Sequence, residues 1–279
     1  MINKDDITVL IQGPLDKTSL RAIPDYLKVA GHIIIVTWDC SAEKAFELIK
    51  ESAFLDVSPE RDKKLVVDLN RIKFFSRPLP DYKKMIKEGK LQGVSKDTTF
   101  YWQIKGLSNG VNVCETPYII RTRSDEHYKN LQPLINKATK NNFKFTCGNI
   151  FFKSSNDKAG PLHIGDHLYF SKTSILKKAL DSILDAQHGK LHPHPYIQRE
   201  AFKDGWCAEQ ILGRAILYAH DYDLEKVMEH NHYETVVNTF DIIDINELKP
   251  IHWSWKAASK SWTDFPPLYE DTIQDIKQY

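Results

Sequence analysis

Two arginines and two adjacent carboxylates lie at the end of an apolar run near the middle of the chain. The run is Tyr118–Thr122, and the charged residues are Arg121, Arg123, Asp125 and Glu126. Carboxylate oxygens hold Mg²⁺ or Mn²⁺ while phosphate oxygens complete the shell, and a guanidinium matches phosphate oxygens in bidentate fashion. The pattern predicts a metal-diphosphate site, with Asp125 as metal ligand and Glu126 as a second or water-mediated ligand. The alternatives are a solvated charge cluster at a turn and, for Arg123, a salt bridge with a neighbouring acid.

A Gly-Pro pair follows the first apolar run of the chain. Ile7–Ile11 leads directly into Gln12, Gly13 and Pro14. Because glycine has no side chain, main-chain groups at such a position can approach a nucleotide closely. We therefore expect these three residues to contact the nucleotide, although Gly-Pro is also ordinary in turns.

A second, β-branched run ends at an aromatic residue and an acid. The run is His32–Trp38, and Asp39 follows it. Trp38 can stack on a base and Asp39 can hydrogen-bond a base or ribose; alternatively Trp38 covers the core and Asp39 caps the next helix. A predicted helix that starts at residue 97 or 98 and ends at Val113 presents Gln103 as a further nucleotide contact.

Parallel strands must position these residues. The first two apolar runs flank a predicted crossover helix, Thr18–Ala30, and such a β-α-β unit turns both strand ends to the same edge, where α/β sheets bind ligands. The sequence predicts an α/β fold with an open mixed, mainly parallel sheet flanked by helices. Further predicted elements are the helices Ala42–Ser52, Thr173–Leu184 and Cys207–Tyr218 and the strands Leu65–Leu69, Lys73–Ser76, Phe143–Lys153 and His167–Ser171.

Four segments resemble a known family. ITVLIQGP, HIIIVTWD, QIKGLSNGV and YIIRTRSDE, together spanning most of residues 7–126, resemble the WavE family, glycosyltransferase-like proteins associated with lipopolysaccharide core synthesis. The similarity continues only patchily through HIGDHLYFS and WCAEQILGRAIL. It implies a GT-A fold, a nucleotide-diphosphate-sugar donor and a Mn²⁺ or Mg²⁺ ion at Asp125. This chain departs from the acidic triplet of that fold, since Arg123 stands two residues before Asp125.

Three residues of the second half are further candidates, and the resemblance implies the roles of two of them, Glu209 and His252. Asp166 precedes the LYFS run, and at the mouth of a cleft there it can bind sugar or acceptor hydroxyls. The alternative is that it is a turn residue. Glu209 lies early on a predicted helix and can act as the general base of an inverting transfer, or merely favour the helix dipole. His252 can complete the metal shell, or pack in the core beside tryptophans.

The composition of the chain narrows the classes of partner that it is expected to bind. Lys and Arg number 38 against 37 Asp and Glu, with no long basic block, which argues against nucleic acid. No apolar run approaches the roughly 20 residues of a membrane span, so a glycan or glycolipid acceptor would be met with at most peripheral membrane contact. Without a recognisable signal segment and with scattered cysteines, the chain is expected in the cytoplasm.

One domain is expected over residues 1–279, with a nucleotide-sugar-binding half at about 1–126 and an acceptor half at about 127–279. The sequence thus predicts a metal-dependent glycosyltransferase. Two alternatives stay open. One is a non-catalytic sugar or nucleotide binder on the same fold. The other is a metal-dependent hydrolase, whose ligand spacing is unlike the known zinc motifs and which would be built on His163, Asp166, His167, His188, His192 and His194.

Overall fold

The computed structural model describes residues 2–15, 17–38, 40–41, 43–45, 47–48, 69–77, 82–88, 98–148, 164, 167–188, 197, 208–230 and 238–253. Its strands are β1 (Ile7–Gln12), β2 (His32–Trp38), β3 (Ile72–Arg77), β4 (Tyr118–Arg123), β5 (Glu126–Tyr128), β6 (Phe145–Gly148), β7 (Leu168–Lys172), β8 (Phe240–Ile243) and β9 (Pro250–Trp253). Its α-helices are α1 (Lys17–Tyr26), α2 (Tyr82–Lys87), α3 (Thr98–Asn112), α4 (Gln132–Lys140), α5 (Thr173–Gln187), α6 (Ala208–Ala219) and α7 (Leu224–His230). Short 3₁₀ helices span Lys4–Asp6, Leu69–Arg71 and Ile245–Leu248.

Seven strands form one sheet in the order β3-β2-β1-β4-β7-β6-β8, and β5 pairs with β9 in a separate two-stranded sheet. Within the large sheet β7 runs antiparallel to both of its neighbours, while the other pairs are parallel. The carboxyl ends of the parallel strands therefore meet at one edge, and the amino end of β7 lies at that same edge. The predicted fold class, an open mixed, mainly parallel sheet flanked by helices, is confirmed.

Side-chain alternation along the strands divides the core between the two faces of the sheet. On one face Leu10, Val36 and Ile119 pack with apolar residues of α3, α5 and α6. On the other, Val9 and Ile120 pack with residues of α1 and α4. No helix in the described part of the chain is long and apolar enough to cross a membrane.

Three predicted boundaries differ from the structure by two residues or more. The helix predicted to end at Leu184 continues to Gln187, where Ala186 and Gln187 are still buried. The helix predicted to run to Ala30 ends at Tyr26, because the chain turns there, with the Lys28 amide bonded to the Asp25 carbonyl and the Val29 amide to the Tyr26 carbonyl. The strand predicted from Phe143 begins two residues later, since Phe143 itself is left-handed at φ 58°.

Other predicted elements are only partly described. Residues 43–45 and 47–48 of the helix predicted after Ser41 are helical, and Ser41 accepts the Lys44 amide with its hydroxyl. The remainder of that helix, and the strand predicted at Leu65–Leu69 apart from its last residue, lie outside the described residues; Leu69 belongs to a 3₁₀ helix.

Candidate active site

The carboxyl edge of the sheet collects the strand-end residues that the sequence singled out. Gln12 at the end of β1 pairs with Val36 of β2 on one side and with Arg123 of β4 on the other. Trp38 ends β2 opposite Arg77 of β3. Because residues two apart on a strand share a face, Gln12, Trp38 and Arg123 lie on the face covered by α3, α5 and α6. Three polar or aromatic strand ends are thus brought together on one side of one edge.

The tip of β1 is joined to both of its neighbours, β4 and β2, by backbone hydrogen bonds at Gln12 and Gly13. Ser124 donates its amide to the Gln12 carbonyl at 2.9 Å, and Gly13 donates its amide to the Val36 carbonyl at 3.1 Å. Gly13 has φ +139°, a conformation that L side chains rarely adopt, and a Cβ there would overlap the Ser124 hydroxyl. Pro14 follows and is exposed. The glycine is therefore required by backbone geometry and by space, whatever ligand the tip binds.

Arg121 is buried beneath this edge. It is 3% exposed, and its Nε and Nη2 both donate to Gln12 Oε1 at 3.4 Å, while Nη1 donates to the His167 carbonyl at 3.2 Å. Its guanidinium carbon lies 5.9 Å from the centroid of the Tyr169 ring. These acceptors are neutral, and an arginine keeps its proton in proteins. The edge therefore rests on a fixed buried positive charge.

Arg123 and Asp125 form a bidentate ion pair at the rim. Arg123 Nε donates to Oδ1 at 2.8 Å and Nη2 to Oδ2 at 2.7 Å, and the two side chains are 29% and 23% exposed. Arg123 Nε also lies 3.7 Å from a carboxylate oxygen of Glu126. Both oxygens of the predicted metal ligand thus already accept hydrogen bonds from a guanidinium.

Glu126 faces inward. Its side chain has no exposed surface; Oε2 accepts the Tyr128 hydroxyl at 2.7 Å, and Oε1 contacts His167 Nδ1 in a short hydrogen bond. Burial, reinforced by the nearby Glu126 charge, raises the pKa of the Tyr128 phenol well above its usual value, so that the hydroxyl stays a donor. This carboxylate therefore ties β5 to the start of β7.

These contacts do not provide a complete metal site. Asp125 is committed to Arg123, Glu126 is buried on His167 and Tyr128, and the described residues contain no group of three or more His, Cys, Asp or Glu side chains placed to hold an ion. The backbone of His252 in β9 pairs opposite His127 of β5; the placement of its side chain is not described. The predicted Mg²⁺ or Mn²⁺ ligands therefore stay a prediction. Among the described residues of this cluster, the partly exposed carboxylate is that of Asp125, and it is already paired with Arg123.

The start of α3 approaches the same edge. Gln12 Nε2 donates to the Gln103 carbonyl, so that Gln103 contacts the site through its backbone. A Cβ on Gly106 would come within 2.9 Å of Gln12 Nε2 and 3.4 Å of Trp38 Cζ2. Helix α3 therefore packs so closely against Gln12 and the half-buried Trp38 that residue 106 has no room for a side chain. Gly106 thus determines how near the helix lies to Gln12 and Trp38.

Glu209 reaches the same end of the molecule through helix direction. Lys178 near the start of α5 contacts Asp221 at 2.5 Å and lies 5.4 Å from the Tyr218 ring at the end of α6, so the two helices are antiparallel. Helix α5 starts at the amino edge, where β7 ends, and finishes near the start of α3, with the rings of His188 and Tyr101 6.5 Å apart. Helix α6 therefore begins on the carboxyl-edge side, with half-buried Glu209 in its first turn. Asp39 and Asp166 lie outside the described residues.

A second polar cluster supports the turn from β4 to β5. His127 Nε2 contacts Asp25 Oδ2 at 2.9 Å, and Asp25 also accepts from Lys28. Burial acts to raise the pKa of the Asp25 carboxyl, but the hydrogen bonds from His127 and Lys28 outweigh it, and the pKa lies below its usual value. Burial raises the pKa of the Tyr26 phenol, which donates to the Glu126 carbonyl at 3.4 Å and accepts the Tyr128 amide at 3.3 Å. The end of α1 is thus joined to β5.

The sequence suggested a role for His167 only as part of a hydrolase site. In the structure its carbonyl accepts a hydrogen bond from Arg121, and its ring is hydrogen-bonded to Glu126. Its place at the edge follows from the antiparallel direction of β7, which brings the residue before the strand, rather than the one after it, to the carboxyl ends of β1 and β4. A signal was present in the sequence: a histidine directly before an apolar run. The direction of the strand that follows this histidine could not be inferred from the sequence.

Comparison with known proteins leaves the family open. No family model matches the chain, so membership of the WavE family is not confirmed. No curated protein matches it either. Similar solved structures include HddC from Yersinia pseudotuberculosis (11% identity, 66% of this chain and 81% of that chain, TM-score 0.37) and the glycosyltransferase GlyE from Streptococcus pneumoniae TIGR4 (9% identity, 95% and 52%, TM-score 0.43). A third is glucosyl-3-phosphoglycerate synthase from Mycobacterium tuberculosis in complex with Mn²⁺, uridine diphosphate and phosphoglyceric acid (9% identity, 76% and 78%, TM-score 0.34).

These likenesses are weak. The similarity to GlyE spans about half of that protein's length, at 52%. With identities of 11% or less and TM-scores of 0.43 or less, they do not by themselves establish an activity for this chain. The assignment of function therefore depends on the site.

Proposed function

We propose that this chain is a GT-A-type glycosyltransferase that moves a sugar from a nucleotide-diphosphate donor to a hydroxyl of a glycan or glycolipid acceptor. The observation that carries the proposal is the carboxyl edge itself, where the glycine tip of β1 at Gly13 lies between the end of β2, which carries Trp38, and the end of β4, which carries two guanidinium groups. Ligands of open α/β sheets bind at this edge. The resemblance of the strand-end segments to WavE proteins favours a role in lipopolysaccharide-type glycan synthesis.

The donor half of the proposal assigns the diphosphate to the tip of β4. Arg123 is partly exposed and can bind phosphate oxygens directly, since a guanidinium matches them in bidentate geometry. Arg121 is too deeply buried for that contact in this state; its role is a fixed positive charge beneath the phosphates, where low dielectric strengthens the attraction. Trp38 supplies an aromatic face for the base, and Gln12 and Gly13 form the floor.

The acceptor half assigns the chemistry to Glu209. Its carboxylate takes the proton of the acceptor hydroxyl as that oxygen bonds to the anomeric carbon, while the bond from this carbon to the phosphate oxygen breaks and the nucleoside diphosphate leaves. One displacement of this kind inverts the anomeric centre. Arg123 and Arg121 stabilise the negative charge that develops on the leaving diphosphate. Asp166 is proposed to bind sugar or acceptor hydroxyls.

A divalent metal remains part of the family expectation. Bound at Asp125, Mg²⁺ or Mn²⁺ would neutralise the diphosphate. The described residues do not fit that ion, since Asp125 is held by Arg123 and Glu126 is buried. No step of the proposed reaction is therefore assigned to a metal.

The test is a panel of UDP-, GDP-, CDP- and dTDP-sugars assayed for a rise in unfolding temperature and for nucleotide release, with and without Mn²⁺. Ligands that bind only the native state raise its apparent stability. We expect one donor to stabilise the protein, Glu209→Gln to keep that stabilisation but lose nucleotide release, and Glu225→Gln, which changes an exposed first-turn acid on α7, to keep both. Absence of any donor effect would rule out the proposal, whereas binding without release would favour the non-catalytic binder.

A further inference from the structure

The Arg123–Asp125 pair conflicts with the usual role of an aspartate at a metal-diphosphate site. Both Asp125 oxygens accept hydrogen bonds from the guanidinium, at 2.8 and 2.7 Å. Bidentate Arg–carboxylate pairs are among the stronger side-chain hydrogen bonds. The guanidinium thus occupies one acceptor position on each Asp125 oxygen and would lie beside any ion bound there, and the neighbouring Glu126, with no exposed surface, offers no second carboxylate.

The same pair is open to an incoming anion. The two side chains lie at the rim, 29% and 23% exposed, so a ligand can reach the guanidinium without unfolding the site. A diphosphate carries more charge than one carboxylate and presents pairs of oxygens in the same bidentate geometry. Arg121, two residues earlier on the same face of β4, adds a buried charge that attracts the diphosphate.

We propose that Arg123 exchanges Asp125 for the donor's diphosphate, so that Asp125 holds the arginine in place while the site is empty and donor binding needs no divalent metal. This inference rests on the proposed function and names the group that neutralises the donor. In it Asp125 is a competitor of the diphosphate rather than a ligand of an ion. Removing its charge therefore has the opposite effect on binding from that expected of a metal ligand.

The experiment is isothermal titration of the wild type and four variants with UDP, GDP, CDP and dTDP, in EDTA and in Mn²⁺. We expect the best nucleotide to bind the wild type in EDTA within about 2-fold of its affinity in Mn²⁺. A lost charge-assisted hydrogen bond is worth about 1.5–3 kcal/mol, so Arg123→Gln should weaken binding by roughly 10- to 100-fold. Asp125→Asn should tighten binding in EDTA by several-fold, because the competing charge is gone.

Arg71→Gln is the matched control, because Arg71 is a partly buried arginine bonded to the carbonyls of Ala30 and Gly31, away from the carboxyl edge. It should bind nucleotide like the wild type. Arg123→Lys, which keeps the charge without the fork, should fall between the wild type and Arg123→Gln. Unfolding temperatures of all variants establish that each is folded.

Two outcomes overturn the inference and leave the proposed function standing: binding that disappears in EDTA, or an Asp125→Asn variant that binds more weakly than the wild type. Failure of every nucleotide and every nucleotide sugar to bind, with and without Mn²⁺, overturns the proposed function as well. Binding in EDTA with tightening by Asp125→Asn and loss by Arg123→Gln supports the exchange.

Discussion

The carboxylate of Glu126 and the imidazole of His167 are hydrogen-bonded inside the protein, at the junction between the β4–β5 turn and the start of β7. The same histidine accepts Arg121 at its backbone carbonyl, and the same glutamate accepts the Tyr128 hydroxyl. One buried contact thus links the charge beneath the proposed phosphate site to the strand that runs against the rest of the sheet.

We expect Glu126→Ala to lower the free energy of unfolding by about 3–5 kcal/mol, because it leaves buried polar partners on His167 and Tyr128 without their acceptor. Urea unfolding measures the change. Glu126→Gln, which keeps the shape and one acceptor oxygen, should cost less. Glu115→Ala is the control: that carboxylate is exposed and pairs with Lys73, so its loss should leave the free energy of unfolding nearly unchanged. A Glu126→Ala loss no larger than that of Glu115→Ala would contradict a structural role.

Gly13→Ala should destabilise the protein by about 1–3 kcal/mol, because φ +139° is close to forbidden for alanine. The new methyl also overlaps Ser124. Ser124→Gly in the same chain removes the overlap but not the strain, so the double variant should recover part of the loss, which a double-mutant cycle by chemical denaturation would quantify. Full recovery would show that the backbone conformation carries no penalty; no recovery would show that the overlap is relieved in some other way.

Gly106→Ala should weaken nucleotide binding by several-fold while changing stability little, since its Cβ presses on Gln12 Nε2 and Trp38 at the site. An exposed helical glycine would instead gain about 1 kcal/mol on this substitution. Gly110→Ala one turn later is the comparison: its Cβ meets Leu10 and comes within 2.8 Å of Val36 in the core, so it should cost about 1–3 kcal/mol in unfolding free energy and leave affinity unchanged. Titration calorimetry and urea unfolding of both variants separate the two effects, and equal affinities in both would place Gly106 outside the site.

Asp25→Asn should destabilise the protein near neutral pH, with a difference from wild type that shrinks in acid. The folded-state pKa of Asp25 lies below its ordinary value of 3.8, so the unfolded state binds more protons between the two pKa values. The stabilisation is therefore fully present above pH 3.8 and is lost as the pH falls through the folded pKa. Urea unfolding from pH 7 to pH 3 follows the difference, which would stay constant with pH if Asp25 contributed only packing.

Apolar runs, β-branched in β1, β2 and β4 and aromatic in β7, made these strands predictable from the sequence. β1, β2, β4 and β7 begin and end within a residue of their predicted limits because a fully buried strand needs an unbroken apolar run. Short helices and strands in which polar and apolar residues are mixed were not predicted. The segments that went unpredicted are α2, α4, α7, β5, β8 and β9.

The sequence predicted at which edge of the sheet the site residues lie, but it did not predict all of the residues that they contact. That Gln12, Trp38 and Arg123 meet follows from the shared carboxyl edge of parallel strands. Whether Asp125 faces Arg123 or an ion, and whether Glu126 points outward or onto His167, depends on turn geometry and on the reversed direction of β7. The Glu126–His167 contact is not encoded in local residue types, because the two residues lie 41 positions apart along the chain. The Arg123–Asp125 pair is local, and it was one of the alternatives that the sequence left open.

The position of β1 between β2 and β4 has a consequence for the chain while it is being synthesised. β1 is complete once Gln12 is made, but one of its two neighbours, β4, begins only at Tyr118. At about 5–20 residues per second, the ribosome needs roughly 5–20 s to cover that gap. Until then one edge of an apolar strand is unpaired, and such an edge is a template for pairing with another nascent chain. Slower translation prolongs this exposure, so we expect the yield of folded protein to depend on the speed of its own synthesis.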